Sequence, residues 1–124
     1  MKIEQLYSPD LNTCQGDDRL SEVAARMRWA EISALAVIDD NAELVGIISE
    51  RDLARAMADG VDPGMVEAFT YASDNVVLAS PDEDSAEVAA RMLDAGIRHM
   101  PVVSDGRLVG MVSMRDLLAV HTWA

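Results

Sequence analysis

The sequence predicts an α+β fold made of two βαββα repeats, and a duplication within the chain leads to that prediction. The hexapeptide EVAARM occurs at Glu22–Met27 and returns unchanged at Glu87–Met92, an offset of 65 residues. The stretch LVGIISERDL at Leu44–Leu53 returns as LVGMVSMRDL at Leu108–Leu117, an offset of 64. A chain of 124 residues can hold one domain-sized globule or two half-domains that share a core. Because neither half alone would bury much apolar surface, the repeats are expected to cover each other's sheets.

The first helix of each repeat is predicted from apolar side chains that recur at helical spacing. In the second repeat Val88, Ala89 and Met92 form this stripe. Asp84 is the predicted N-cap of that helix, and Gly96 is the predicted left-handed stop. The corresponding stripe of the first repeat consists of Leu20, Val23, Ala24 and Met27.

Two short apolar runs follow each of these helices and predict a β-hairpin. They read ALAVI and LVGIIS in the first repeat, and MPVV and RLVGMVS in the second. Asp105-Gly106, between the second pair of runs, is a strong hairpin signal. Short strands are also predicted ahead of the first helices, at Leu11–Cys14 and around Val76–Ala79, and a second helix after each hairpin completes the unit.

The domain organisation follows from the position of the duplication. We assign residues 1–60 to the first repeat and residues 75–124 to the second. The segment between them, VDPGMVEAFTYASD at 61–74, carries Pro63, Gly64 and small polar residues around a short apolar turn, and is predicted to be a connector.

The charge of the chain argues against nucleic acid as a partner. Ten basic residues against 22 acidic ones give a formal net charge of −12, which repels phosphate backbones and anionic lipid at long range. A small anion remains compatible with this charge, because a local cluster of Arg, His and backbone N–H groups can bind phosphate.

Cysteine and hydropathy patterns predict a cytoplasmic protein without a membrane span. No apolar run reaches the roughly 18 residues that a span requires, and the start MKIEQLYSPD has no signal pattern. Cys14 is the only cysteine, which excludes an internal disulfide and indicates a buried structural thiol. His99 and His121 lack partners at ligand spacing, so no metal site is predicted.

The duplicated segments resemble the CBS (cystathionine β-synthase) domain family, and specifically the tandem pair called a Bateman module. The resemblance rests on DDRLSEVAARM with ISALAVIDDNAELVGIISERDL, and on SPDEDSAEVAARMLDAGIRHMPVVSDGRLVGMVSMRDL. It implies two repeats related by a pseudo-twofold axis, with clefts between them that bind adenosine-containing ligands. Such modules sense ligands and do not catalyse reactions, so no cofactor is required.

The ligand signature of this family is a glycine, two residues, Ser or Thr, two residues, and Asp. It occurs here with Ser49 and Asp52, and again with Ser113 and Asp116. Each Asp could accept hydrogen bonds from ribose hydroxyls, and each Ser lies where free backbone N–H groups of a helix could meet phosphate. The alternative is purely structural, because Ser with Asp three residues later is also an acidic form of the capping box.

The two repeats differ at the start of the central strand. The second repeat has Arg98 and His99 where the first has Ser33 and Ala34. By resemblance, Arg98 and His99 bind the phosphates of a nucleotide whose ribose is held by Asp52 of the other repeat. The guanidinium of Arg98 has a permanent charge and a fork of N–H donors that matches phosphate geometry, whereas His99 adds charge only when it is protonated.

The second site, at Ser113 and Asp116, should therefore hold a nucleoside, a weakly bound nucleotide or nothing. Thr70, in the connector, stands where relatives often place a hydroxyl donor. Two residues depart from the family pattern, since Ala36 replaces the usual Pro and Leu78 stands where a Thr is frequent.

Two functions of different classes remain open. The first is a regulatory module that senses an adenine nucleotide such as AMP, ADP or ATP, with S-adenosylmethionine or NAD as alternative ligands. The second is a ligand-free module that only dimerises or docks. A homodimer is expected, because the exposed sheet or helix faces of one CBS pair usually bury themselves against a second pair, and the effector protein is unknown. The candidate apolar contacts of the homodimer are Leu117, Leu118, Val120 and Trp123.

Overall fold

The computed structural model describes residues 1–7 and 12–123, and of residues 121–123 it describes the backbone alone. The predicted α+β class is confirmed, with four α-helices and two β-sheets in this part of the chain. The chain divides into two compact units. The first unit is Asn12–Val76, and the second unit combines Met1–Leu11 with Val77–Ala124.

The first unit contains a three-stranded sheet and two α-helices. The sheet has the order β1-β2-β3, in which β1 is parallel to β2 and β2 is antiparallel to β3. The position of Leu11, where the first strand was predicted to begin, lies outside the described residues. The elements of the unit in chain order are β1 (Thr13–Gln15), α1 (Leu20–Ala30), β2 (Ala34–Ile38), β3 (Leu44–Ser49) and α2 (Glu50–Ala58).

The second unit repeats the helix, hairpin and helix of the first. Asp105 and Gly106 both have positive φ, of 52° and 76°, which is the two-residue turn that Asp-Gly predicts. Asp84 caps the unit's first helix through the N–H of Ala86, and Gly96 ends it with φ of 67°, so both predictions are confirmed. The elements are α3 (Ser85–Ala95), β4 (His99–Ser104), β5 (Arg107–Ser113) and α4 (Met114–Trp123).

The leading strand predicted around Val76–Ala79 is reduced to a single bridge in the second unit. The N–H of Ala79 donates to Pro101, and Ala79 accepts from Val103. In a parallel ladder the neighbouring hydrogen bonds would need the N–H groups of Pro101 and Pro81, which proline lacks. Ala36 occupies the position of Pro101 in the first unit, and there β1 pairs with β2 over three residues.

Each unit has its own hydrophobic core, and the helix stripes contribute to it as predicted. Leu20, Val23 and Met27 are buried in the first core, whereas Ala24 of the same predicted stripe is exposed. Cys14 is also buried there, and burial together with the negative charge of Asp18 raises the pKa of its thiol to about 11. The buried residues of the second core are Ile3, Ala79, Val88, Met92, Met100, Val102, Val112 and Leu117.

Two short 3₁₀ helices, Ile3–Gln5 and Ala68–Thr70, lie 65 residues apart in sequence and occupy equivalent places in the two units. Ile3 is fully buried in the second core, and its N–H donates to the carbonyl of Glu83. Residues 1–7 therefore pack with the second repeat, although the duplication in the sequence assigned residues 1–60 to the first. The position of these residues in the sequence does not predict this packing. A single turn of chain can pack on any core that buries its apolar side chain.

The predicted connector packs closely on the first unit. Ala68 is fully buried, and its N–H donates to the carbonyl of Asp18 at 2.7 Å. The N–H of Leu20, the first residue of α1, donates to the carbonyl of Val66. These contacts make residues 66–76 part of the first unit, in accord with its boundary at Val76.

The arginine of each EVAARM segment forms hydrogen bonds to the chain that precedes its own helix. Arg26 donates to the carbonyl of Thr13 and to Asp18, both at 2.9 Å. Sixty-five residues later, Arg91 donates to the carbonyl of Leu78 and makes a two-point ion pair with Glu83. This ion pair lowers the pKa of Glu83 and raises that of Arg91. The arginine of the hexapeptide therefore has the same structural role in both units, and this role requires no ligand.

Candidate functional site

The candidate site of the first unit is the junction between β3 and α2. Gly46 of β3 is buried, and a Cβ at this position would meet the carbonyl oxygen of Ser73 at 2.8 Å. The close approach exists because Ile47 and Ser73 exchange two backbone hydrogen bonds of 2.9 Å. The glycine of the signature therefore allows the connector to pair with the edge of β3.

We expect Gly46→Ala to lower the free energy of unfolding by about 1–3 kcal/mol, the usual cost of overpacking. The added methyl group would meet backbone atoms, which cannot rotate away as a side chain can. Denaturant unfolding measures the change, with Gly64→Ala as control because its nearest contact, to the Asp62 carboxylate, is 3.4 Å. Equal stability of the two variants would contradict the predicted clash.

Ser49 and Asp52 form a complete capping box at the start of α2. One oxygen of Asp52, Oδ2, accepts from the backbone N–H of Ser49 at 2.8 Å and from its hydroxyl at 3.1 Å. The N–H of Asp52 donates in turn to the Ser49 hydroxyl at 3.4 Å. The capping box expected as the structural alternative is therefore present. Any ligand at this junction would meet a carboxylate that already caps a helix.

The other oxygen of Asp52 is engaged by Arg55. Oδ1 accepts from Nη2 of Arg55 at 2.8 Å, and the same nitrogen donates to the carbonyl of Tyr71 at 2.9 Å. The guanidinium carbon lies 5.7 Å from the centroid of the Tyr71 ring. The Tyr71 hydroxyl donates to Asp59 at 2.7 Å, and this hydrogen bond raises the pKa of Tyr71. Arg55 was not identified from the sequence, although it lies one helical turn after Asp52.

The equivalent junction of the second unit, between β5 and α4, is more open. The N–H of Asp116 donates to the Ser113 hydroxyl at 3.1 Å, which is half of the capping box seen in the first unit. Within the described residues, the carboxylate of Asp116 has no hydrogen bond or ion pair. Ala119 takes the place of Arg55, so the two signatures have different surroundings despite their common sequence.

The pair of residues at the start of the central strand lies beside the strand–helix junction of its own unit. These pairs are Arg98 with His99, and Ser33 with Ala34. Arg98 accepts a hydrogen bond at its carbonyl from the N–H of Met114, the first residue of α4. His99 pairs with Ser113 in the β4–β5 ladder and is half-buried, whereas Arg98 is exposed. In the first unit, Ser33 accepts in the same way from Glu50. The joint action of Arg98 and His99 with Asp52 stays a prediction.

Two hydroxyl residues complete the inventory of candidates. Thr70 ends the 3₁₀ helix Ala68–Thr70 in the first unit and is exposed. Thr13, in β1, was not identified from the sequence, although the offset of 65 makes it the counterpart of Leu78. The first unit therefore carries the frequent Thr of the family pattern at the position where the second unit lacks it.

The described residues contain no group of three or more His, Cys, Asp or Glu side chains that could hold a metal ion. The helices of the same part of the chain include none that is long and apolar enough to cross a membrane.

The fold and the two junctions define a pair of tandem repeats, each with a Ser and an Asp at the start of its last helix. The CBS domain model matches the chain twice, at residues 3–59 and 66–121. The chain therefore belongs to the CBS domain family, as a tandem pair.

Three relatives illustrate the range of this family. An uncharacterized protein of Methanopyrus kandleri is 34% identical over 99% of this chain, which spans 64% of that protein. Hypoxic response protein 1 of Mycobacterium tuberculosis is 32% identical over 85% of this chain and 75% of its own length. The crystal structure of the CBS domain pair of protein MJ0100, in complex with 5′-methylthioadenosine and S-adenosyl-L-methionine, has a TM-score of 0.92 and 27% identity, covering 99% of this chain and 97% of that one.

Proposed function

We propose that this CBS pair is a regulatory module that senses an adenosine-containing nucleotide of the AMP, ADP or ATP type. The observation that carries the proposal is the pair of partly buried carboxylates, Asp52 and Asp116, each at the N-terminus of a helix that follows a partly buried strand. A carboxylate there can accept hydrogen bonds from ribose hydroxyls, and the free N–H groups of the helix N-terminus favour the binding of phosphate. The adenosine compounds bound to the CBS pair of MJ0100 support this class of ligand.

The nucleotide is assigned to Ser49 and Asp52 together with Arg98 and His99. This assignment comes from the family resemblance and from chemistry, since Arg98 is an exposed cation and Ser33 and Ala34 offer no charge at the equivalent position. Ser113, Asp116 and Thr70 would form a second site of lower affinity for nucleotides. We propose a regulatory and not a catalytic role, and a cytoplasmic location consistent with the single buried Cys14.

A thermal-shift panel tests the proposal. AMP, ADP, ATP, NAD, S-adenosylmethionine and adenosine would each be added to the same preparation, because a ligand that binds only the folded state raises its stability. At about 100 times the dissociation constant the gain is roughly 2.7 kcal/mol. We expect at least one nucleotide to raise the melting temperature. If none of the six compounds does so, the ligand-free alternative replaces the proposal.

The alternative, a module that only dimerises or docks, is favoured by large apolar side chains on the helices. Trp29 is 89% exposed, Met57 82% and Leu93 71%. Of the four contacts expected from the sequence, Leu117 is instead fully buried in the second core, and Leu118 is 58% exposed. The side chain of Trp123 lies outside the described residues.

We expect a homodimer in solution, because exposed apolar side chains of this size are commonly buried in an interface. Light scattering at micromolar concentration measures the mass directly. Leu118→Glu should shift the protein toward the monomer if α4 lies in the interface, and Leu93→Glu makes the same test for α3. A monomeric wild-type protein would contradict the expectation.

A further inference from the structure

The acceptor capacity of Asp52 is almost fully used by the protein itself. A carboxylate offers about four lone-pair sites, two on each oxygen. Oδ2 accepts two hydrogen bonds from Ser49, and Oδ1 accepts one from Arg55. A ribose diol donates two hydrogen bonds, but one lone pair of Asp52 remains. A diol that binds Asp52 through both hydroxyls must therefore displace one of the present donors.

Of these donors, Arg55 can leave with the least disturbance. The backbone N–H of Ser49 is fixed by the start of α2, and the Ser49 hydroxyl is held by the N–H of Asp52. The Arg55 side chain is 57% exposed, whereas that of Asp52 is 14% exposed. Its guanidinium can move into water at modest cost, because ion pairs with an exposed partner contribute about 0–1 kcal/mol.

Arg55 is also held in place by contacts beyond the ion pair. The carbonyl of Tyr71 accepts from it, and the Tyr71 ring lies beneath the guanidinium at cation–π distance. Asp59 fixes that ring through the Tyr71 hydroxyl. The second unit has Ala119 at this position, and the Asp116 carboxylate lacks a partner among the described residues.

We propose that Arg55 is a specificity-determining residue that competes with the ribose hydroxyls for Asp52. A ligand with a diol alone must displace the guanidinium without compensation. A ligand that also carries phosphate brings further interactions that offset this displacement. The first unit would therefore discriminate against neutral nucleosides, and Asp116 would not. This inference rests on the proposed function and adds the reason why one repeat would select nucleotides.

The experiment compares AMP with 2′-deoxy-AMP by calorimetric titration into Arg55→Ala. We expect AMP to bind about two- to fivefold more tightly than to the wild type, since the ion pair contributes at most about 1 kcal/mol and 1.4 kcal/mol corresponds to a factor of ten. The gain for 2′-deoxy-AMP should be smaller, because it donates fewer hydrogen bonds to Asp52. A general effect of Arg55 on the stability of α2 would change both affinities equally.

Two further variants make the test specific. Arg51→Ala removes the same charge from the same helix, and Arg51 is exposed without an ion pair or hydrogen bond in the described part of the chain. It should leave the ratio of the two affinities unchanged. In an Asp52→Ala background, Arg55→Ala should have no effect on AMP, because the group for which the two compete is absent.

The outcomes separate this inference from the function on which it rests. One outcome is that the wild type binds AMP and Asp52→Ala lowers the affinity, but Arg55→Ala leaves the affinity for AMP unchanged or lowers it. In that case Arg55 does not compete, and only this inference is wrong. If neither the wild type nor Arg55→Ala binds AMP, the proposed function fails and the inference fails with it. Binding that appears only in Arg55→Ala would support both.

Discussion

Replacing Asp52 by alanine is expected to weaken AMP binding by about 1.5–3 kcal/mol, the range for hydrogen bonds to charged groups. The variant removes the carboxylate that would accept the ribose hydroxyls. The fold should survive, because the Ser49 hydroxyl can still accept from the N–H of residue 52 and keep part of the helix cap. Calorimetric titration measures the affinity, and circular dichroism checks the fold.

Asp116→Ala is the matched control, since it removes the same group from the equivalent junction. We expect it to affect AMP binding far less, because Arg98 is proposed to bind the phosphate at the site of Asp52. Arg98→Ala should weaken the binding of AMP by a similar amount, about 1.5–3 kcal/mol. It should hardly change the binding of adenosine, which has no phosphate. If Asp116→Ala abolishes AMP binding and Asp52→Ala leaves it intact, the assignment of the two sites is reversed.

Ile3→Ala is expected to lower the free energy of unfolding by about 2–5 kcal/mol, as for other large aliphatic side chains deleted from a core. Ile3 is fully buried among residues of the second unit, including Val88 and Met92. Its replacement leaves a cavity that packed neighbours fill only in part. Denaturant unfolding measures the loss.

Gln5→Ala is the control for this experiment, because Gln5 is exposed in the same 3₁₀ helix and should change stability by less than about 0.5 kcal/mol. A small effect of Ile3→Ala would show that residues 1–7 do not form part of the second core. Amide exchange provides an independent reading, since the Ile3 N–H should be protected by the Glu83 carbonyl.

Features that depend on a few adjacent residues could be predicted from the sequence. Asp105-Gly106 predicted its turn because both residues tolerate positive φ, and Gly96 predicted the helix stop for the same reason. Asp84 predicted its cap because its side chain reaches an N–H two residues away. The candidate site was predicted to the same extent, since Ser49 and Asp52 contact each other over three residues.

The sequence by itself determined the repeat, the order of the four α-helices and the two hairpins, and the family, because these follow from local patterns that occur twice. Only the tertiary structure decided that Ile3 belongs to the second core, and that the Arg55 guanidinium is held by the carbonyl of Tyr71, sixteen residues further along the chain. Contacts between distant residues depend on where separate elements pack, and neither spacing nor composition specifies that arrangement. The difference between the engaged carboxylate of Asp52 and the open carboxylate of Asp116 is local instead, because Arg55 lies one helical turn after Asp52 and Ala119 takes its place after Asp116.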